Sequence, residues 1–286
     1  MTISTKAHSG VKAEHEQKVV EAPRKRRRVS TLQLPRVVLF VLLIAAWQLA
    51  TAIGGIDPVI LPGPAAVVDA LWQASVCNGA TCGVQGYFLW QHVLATLERV
   101  LVGVLGGSVI GLAIGWWLGT RPRARAIVEP YLSFLRALPP LGYIGLLIVW
   151  FGIGDVSKVV LLLLAVVPTV TVSTILGVTG VQRDWILAAR TLGATNRQVF
   201  RKVLLPAAAP QIINGVRLAT GMAWACIVAA EMNDGIPGIG GLAYISGTQL
   251  NTAVTIGSII VIGVVALAMD AAYVGVEKRF SIGRGL

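Results

Sequence analysis

The chain has 286 residues, of which 55% are hydrophobic and only 13% charged, with a formal net charge of +11. Ordinary soluble domains carry about 25% charged residues, so a soluble fold of this size would lack the polar side chains to cover its surface. The basic residues sit in short clusters between long apolar runs, a membrane pattern and not a nucleic-acid-binding face, and three cysteines without metal spacing argue against redox chemistry.

Residues 1–36 are polar and contain Arg24-Lys25-Arg26-Arg27-Arg28. They read as a disordered, basic cytoplasmic arm whose charges anchor the topology of the apolar segment that follows. That segment, 37–53, is expected to cross the membrane; Ala50-Thr51-Ala52 resembles a signal-peptide cleavage site, but the polar stretch before it is long for a signal peptide. Leu61-Pro62-Gly63-Pro64 opens a short amphipathic stretch to Trp72, and Cys77 and Cys82 follow in a polar loop, either paired or as two free thiols.

The second span is expected at 97–118. Gly103, Gly107, Gly111, Gly115 and Gly119 recur every four residues, along one ridge of a helix. In lipid such a ridge lets two backbones approach closely. A basic turn, Arg121-Pro122-Arg123-Ala124-Arg125, leads to an amphipathic stretch ending at Leu138, then Pro139-Pro140. Residues 141–151 are apolar but too short for a span of about 20 residues unless 137–140 also lie in the bilayer. Gly152-Ile153-Gly154-Asp155 predicts a turn; 158–177, 211–230 and 252–273 predict three more spans, the last two joined by a glycine-rich link at 235–241.

Six crossings place both termini on one side. With that side cytoplasmic, 21 of the 24 basic residues are internal, and only Arg99, Lys158 and Arg217 fall elsewhere. Lys and Arg bias of this size sets orientation. The expected organisation is the arm 1–36, a transmembrane domain at 37–280 and a cytoplasmic tail at 281–286.

The cytoplasmic loop 178–210 has its own pattern. Asp184 is a plausible N-cap, and Trp185, Ala188, Ala189 and Leu192 recur at helical spacing. Gly193 suits a left-handed C-cap. Thr195 and Gln198 form a capping box for a second helix, which Leu205-Pro206 is expected to stop before Pro210 opens the next span. The result is a helix–glycine–helix knuckle with one apolar and one basic side.

Ala188-Ala189, three residues, Gly193, nine residues and Val203-Leu204-Leu205-Pro206 resemble the signature loop of permease subunits in bacterial ABC importers, with Leu187 where the signature opens on glutamate. Leu61-Pro62-Gly63-Pro64, His92 with Arg99, 136–141, 150–158 and Ala229-Ala230-Glu231 are similar to permeases for taurine, alkanesulfonates and nitrate. The resemblance implies an all-α membrane protein of about six transmembrane helices with the type I importer architecture. It implies a homodimer, two ATP-binding subunits and an extracytoplasmic substrate-binding protein as partners, besides membrane lipid, and no nucleic acid. It also implies that Trp185, Ala188, Ala189, Leu192, Gly193, Ala194 and Pro206 couple the chain to the ATPase. No G-x-x-x-x-G-K-[ST] occurs, so the chain is expected to be non-catalytic, with ATP hydrolysed by a partner and no cofactor of its own.

The implied cargo is a small organic anion such as taurine or another sulfonate, with nitrate, a bicarbonate-like ion or a pyrimidine as alternatives; a secondary transporter or channel is the alternative of another class. Arg217 and Glu231 are translocation-path candidates because ionisable residues in spans are costly. Arg217 either assists an anion or pairs structurally, and Glu231 is a gate residue or an interfacial one. Reporter domains fused to either terminus should read cytoplasmic; an external signal from one of them would overturn the orientation.

Overall fold

The computed structural model describes residues 33–53, 55–78 and 81–281. The basic run of the expected arm and the expected tail beyond Ser281 lie outside the described residues. The chain divides into two units, up to Ala46 and from Trp47 onward. Helix α1, Gln33–Ile53, begins in the first, so residues 33–36, expected to be part of the arm, are helical instead. Its stretch Pro35–Ile53 has a mean hydropathy of 2.1, enough to cross a bilayer.

In the second unit, Trp47 donates its indole N–H to the Pro62 carbonyl at 3.1 Å, holding the turn that leads to α2, Pro64–Ser75. Pro64 suits the first turn of that helix because the missing N–H would have no partner there. A two-stranded hairpin follows, β1 Cys77–Asn78 and β2 Thr81–Cys82, and with an antiparallel bridge between Val84 and Tyr87 it departs from all-α structure. Cys77 is disulfide-bonded, and Cys82 lies opposite it in the register.

Helix α3, Leu89–Thr120, starts eight residues before the expected span. The Gln91 side chain accepts the Phe88 N–H at 2.8 Å and caps its first turn. The polar residues His92, Thr96 and Arg99 along its first turns are all buried in protein contacts. After α3 come α4, Pro122–Ala137, a short 3-10 turn, and α5, Ile144–Phe151; these two helices meet at 87° across Pro139-Pro140. The residue before a proline is pushed out of the helical region, and two prolines in a row enforce the break. Helix α6, Asp155–Thr179, follows a turn in which Gly152 has φ +81°.

The glycine ridge of α3 lies against α6. A Cβ at Gly103 would meet Leu162; at Gly107, Val166; at Gly111, Val170; at Gly115, Thr174; and at Gly119, Val178. Each step of four residues along α3 is matched by four along α6, so the two helices run parallel in register. Parallel neighbours require the chain between them to return along their whole length. The bent pair α4–α5 makes that return. Near the Thr120 end, Leu132 with Ala124 and Val128 packs on Leu118 and Ile175. Toward the other end, Leu147 with Tyr143 and Ile144 packs on the core containing Leu161 and Ala165. The third crossing is therefore real but broken.

The loop after α6 forms α7, Arg183–Thr191, and α8, Asn196–Val199. A π-helical turn, Phe200–Leu204, then leads without interruption into α9, Leu205–Glu231. Leu205-Pro206 does not stop the helix, and Pro210 does not open the span, as expected: Pro206 occupies the first turn of α9, and Pro210 lies inside it. The stretch Asn196–Glu231 counts as a single 36-residue span. Helix α9 packs antiparallel on α6, with Gly177 facing Ala208, Ser173 facing Gly215 and Thr169 facing Met222. The glycine-rich link runs as a loop into α10, Ile239–Thr248, whose first turn holds its last three residues, and α11, Thr252–Ser281, completes the described fold.

A Cβ at Gly111 would sit 2.9 Å from both the Val167 carbonyl oxygen and the Val170 Cβ. Gly111→Ala should therefore cost about 1–3 kcal/mol as an overpacked contact. Gly263→Ala, with nothing within 4 Å, should cost none of this. Thermal unfolding in detergent measures the difference; equal midpoints for the two variants would show that the ridge tolerates separation.

Candidate functional site

Two regions at opposite ends of α9 concentrate the functional residues. At its N-terminal end stands the knuckle. The N-cap position of α7 is held by Gln182, without a side-chain cap, and not by Asp184, which lies in the first turn, where its carboxylate complements the helix dipole. The helix ends at Thr191, and Gly193 follows with φ +79°, the left-handed conformation expected of it. Its N–H donates to Arg190 O at 2.9 Å and the Ala194 N–H to Ala189 O at 3.0 Å, closing the turn. The capping box of α8 is present: Thr195 N–H donates to the Gln198 side chain at 2.8 Å, and Gln198 N–H to Thr195 Oγ1 at 3.3 Å.

Several apolar side chains of α7 and its C-cap lie open, while Ile186 and Ala189 are half-buried. Leu192 is 87% exposed, and Trp185 and Leu187 are also exposed. A shallow groove of about 350 Å³ beside α7 is lined by Trp185, Lys202, Val203, Pro206 and Ala207. Beyond the knuckle, Val199 is buried, and the Phe200 ring stands edge-on to Trp116 of α3, with centroids 4.6 Å apart. The π-helical turn at 200–204 is what sequence periodicity missed: its extra residue per turn rotates the chain and lets the knuckle helix continue into α9.

At the other end of α9 lies a buried polar node. Arg99 donates to Glu231 Oε1 at 2.6 Å, to the Pro237 carbonyl at 2.9 Å and to Asp155 at 2.7 Å. Glu231 is 1% exposed and also meets Thr96 Oγ1 at 2.9 Å and the Gly240 N–H at 3.0 Å. Thr96 Oγ1 accepts the Ile239 N–H at 2.9 Å. His92 Nδ1 lies 3.1 Å from the Gly238 N–H, and its Nε2 3.2 Å from the Val84 carbonyl. Three successive amides at the start of α10 are thus satisfied by side chains of α3 and α9. A second cation, the buried Lys158, lies 4.0 Å from Asp234.

Neither path candidate is a free charge. Arg217 forms an ion pair with Asp270 of α11 through both its Nε and, at 2.8 Å, its Nη2; both side chains stay partly exposed. Glu231 is enclosed by protein. The pairing of Arg99 with Glu231 across more than a hundred residues left no signal in local spacing. Only the cost of placing both in apolar segments hinted at it.

Residues 103–282 match the family described as the binding-protein-dependent transport system inner membrane component. The chain belongs to this family. It is 35% identical over 250 residues to the taurine transport system permease protein of Escherichia coli (strain K12), covering 86% of this chain and 88% of that one. It is 30% identical over 252 residues to the nitrate import permease protein of Synechococcus elongatus, covering 85% and 88%. Among solved structures it is similar to the MetNI methionine ABC transporter in an inward-facing conformation, with a TM-score of 0.57 and 25% identity over 67% of this chain and 95% of that one. The chain is thus the multi-pass inner-membrane permease subunit of an ABC importer, with the helical fold of type I permeases.

Space around Gly193 is open, with nothing within 4 Å of a built Cβ, so a side chain there meets only backbone strain. Gly193→Val should cost about 1–2 kcal/mol and fray the knuckle. The permease should still reach the membrane, with reduced recovery of the ATPase on co-purification; full recovery would show that the angle at Gly193 is unimportant.

Proposed function

We propose that this permease forms the translocation path for a small organic anion, taurine or a related sulfonate, in a binding-protein-dependent, ATP-driven importer. The observation that carries the cargo is the 35% identity to the taurine permease over most of both chains. The nitrate permease relative makes nitrate the second cargo. Two copies of the chain would form the path, two ATP-binding subunits would hydrolyse ATP, and an extracytoplasmic protein would deliver the solute. Both termini and the knuckle would face the cytoplasm, consistent with the disulfide-bonded Cys77 lying on the oxidising, external side.

The knuckle is the coupling element in this reading. Trp185, Ala188, Ala189 and Leu192 seat in the ATPase, Gly193 and Ala194 set the angle, and Pro206 lies in the first turn of the helix that receives the motion. The support is physical: an amphipathic helix with large apolar side chains in water needs a groove to cover it. Of the path candidates, Arg217 keeps partial exposure beside Asp270 and can meet a passing anion without being left unpaired. Glu231 has no access to a solute and acts through its neighbours.

Uptake of labelled taurine and nitrate by proteoliposomes holding the permease, its ATPase and its binding protein tests both cargo and coupling. Taurine should accumulate only with ATP. Ala189→Asp, which would bury an unpaired charge in the groove, should abolish uptake and stimulated hydrolysis. Nitrate uptake without taurine uptake would reassign the cargo, and coupled uptake by Ala189→Asp would remove the knuckle from the mechanism.

A further inference from the structure

The knuckle and the polar node are the two ends of one helical rod. At about 1.5 Å per residue, the 36 residues from Asn196 to Glu231 span about 54 Å. A rod transmits displacement only if its far end is held. Free helix ends fray, because their last carbonyls have no helical partner. The last residue of α9 is Glu231, and its carboxylate is gripped from three directions: by Arg99 and Thr96 of α3 and by the Gly240 N–H of α10. Arg99 reaches further, to the Pro237 carbonyl in the loop between α9 and α10 and to Asp155 at the start of α6. One guanidinium thus joins four elements.

We propose that Arg99 is a positioning residue for transport. By clasping Glu231 and Pro237, it locks the outer end of the knuckle-bearing helix to α3, α6 and the N-terminus of α10, so that displacement of the knuckle arrives at the outer mouth as movement of the 232–239 loop. The proposal rests on the reading of the knuckle as the ATPase contact. Well-packed apolar residues are often as stable as a buried ion pair, so stability alone does not call for these charges. Direction does. A bifurcated guanidinium holding a carboxylate and a carbonyl fixes both the distance and the angle of what it joins. Lysine, a single point donor, would keep the charge and lose the fork.

The test uses the complete importer in lipid nanodiscs, with spin labels on Asn196→Cys at the knuckle and Asn233→Cys in the outer loop, measured between the two copies. Cys226 is buried and Cys77 disulfide-bonded, so the label goes to the introduced thiols. On trapping with ATP and vanadate, both distances should shift in the otherwise native permease. In Arg99→Lys the knuckle shift should remain while the outer shift collapses into the resting distribution. Stimulation of ATP hydrolysis by loaded binding protein should fall about tenfold, at unchanged basal hydrolysis. Glu231→Gln, which keeps the shape and an acceptor, should show the same separation in milder form. A native outer shift in both variants would overturn the proposal. Failure of both to assemble would also overturn it, since the pair would then serve folding and not transmission. If the outer loop of the otherwise native permease moves while its knuckle stays still, the knuckle reading itself fails, and transmission through Arg99 fails with it.

Discussion

The close parallel contact of α3 and α6 governs the fold. At five successive glycine positions of α3 a Cβ would meet α6, at Gly111 and Gly115 its backbone oxygens, so the two helices have no room for a side chain between them. In lipid, where apolar burial gives no net gain between helices, such contact supplies dispersion that bulkier interfaces cannot. Because the pair is parallel, the intervening chain must cross back. That requirement explains why a polar, proline-broken segment is drawn into the transmembrane core and covers α3 and α6 in two pieces.

Helix α9 then completes a three-helix block by packing antiparallel on α6. Its two ends differ in chemistry. At the knuckle end the contacts are apolar and aromatic, with Phe200 on Trp116 and exposed side chains on α7 available to a partner. At the far end they are ionic and hydrogen-bonded, with Arg99 and Glu231 at the centre. Apolar surfaces allow sliding and reseating, whereas a forked ion pair holds one geometry. The division suits a machine that must engage and release at one end while keeping alignment at the other.

The position of Glu231 shows how a costly residue can be integral without touching a solute. Unpaired in a low-dielectric site, a carboxylate would be strongly penalised. Here Thr96, Arg99 and the Gly240 amide enclose it, and it in turn caps α10. Arg217 and Asp270 form a looser pair, with both side chains partly open.

Much of this was legible in the sequence because it depends on local chemistry. The apolar spans follow from bilayer thickness. The left-handed turn at Gly193 follows from the absence of a Cβ, and the Thr195–Gln198 capping box from two side chains three residues apart. The glycine ridge was visible as a period of four, and the knuckle as a spacing. What only the tertiary structure decided depends on contacts between distant segments. The partner and direction of the glycine ridge, the early start of α3 at Leu89, the π-helical turn that carries the knuckle through Pro206 into α9, and the joining of Arg99 to Glu231 all belong to this class. A polar residue in an apolar run announces its cost in the sequence, but the group that offsets that cost lies wherever the fold brings it, and no local pattern records that place.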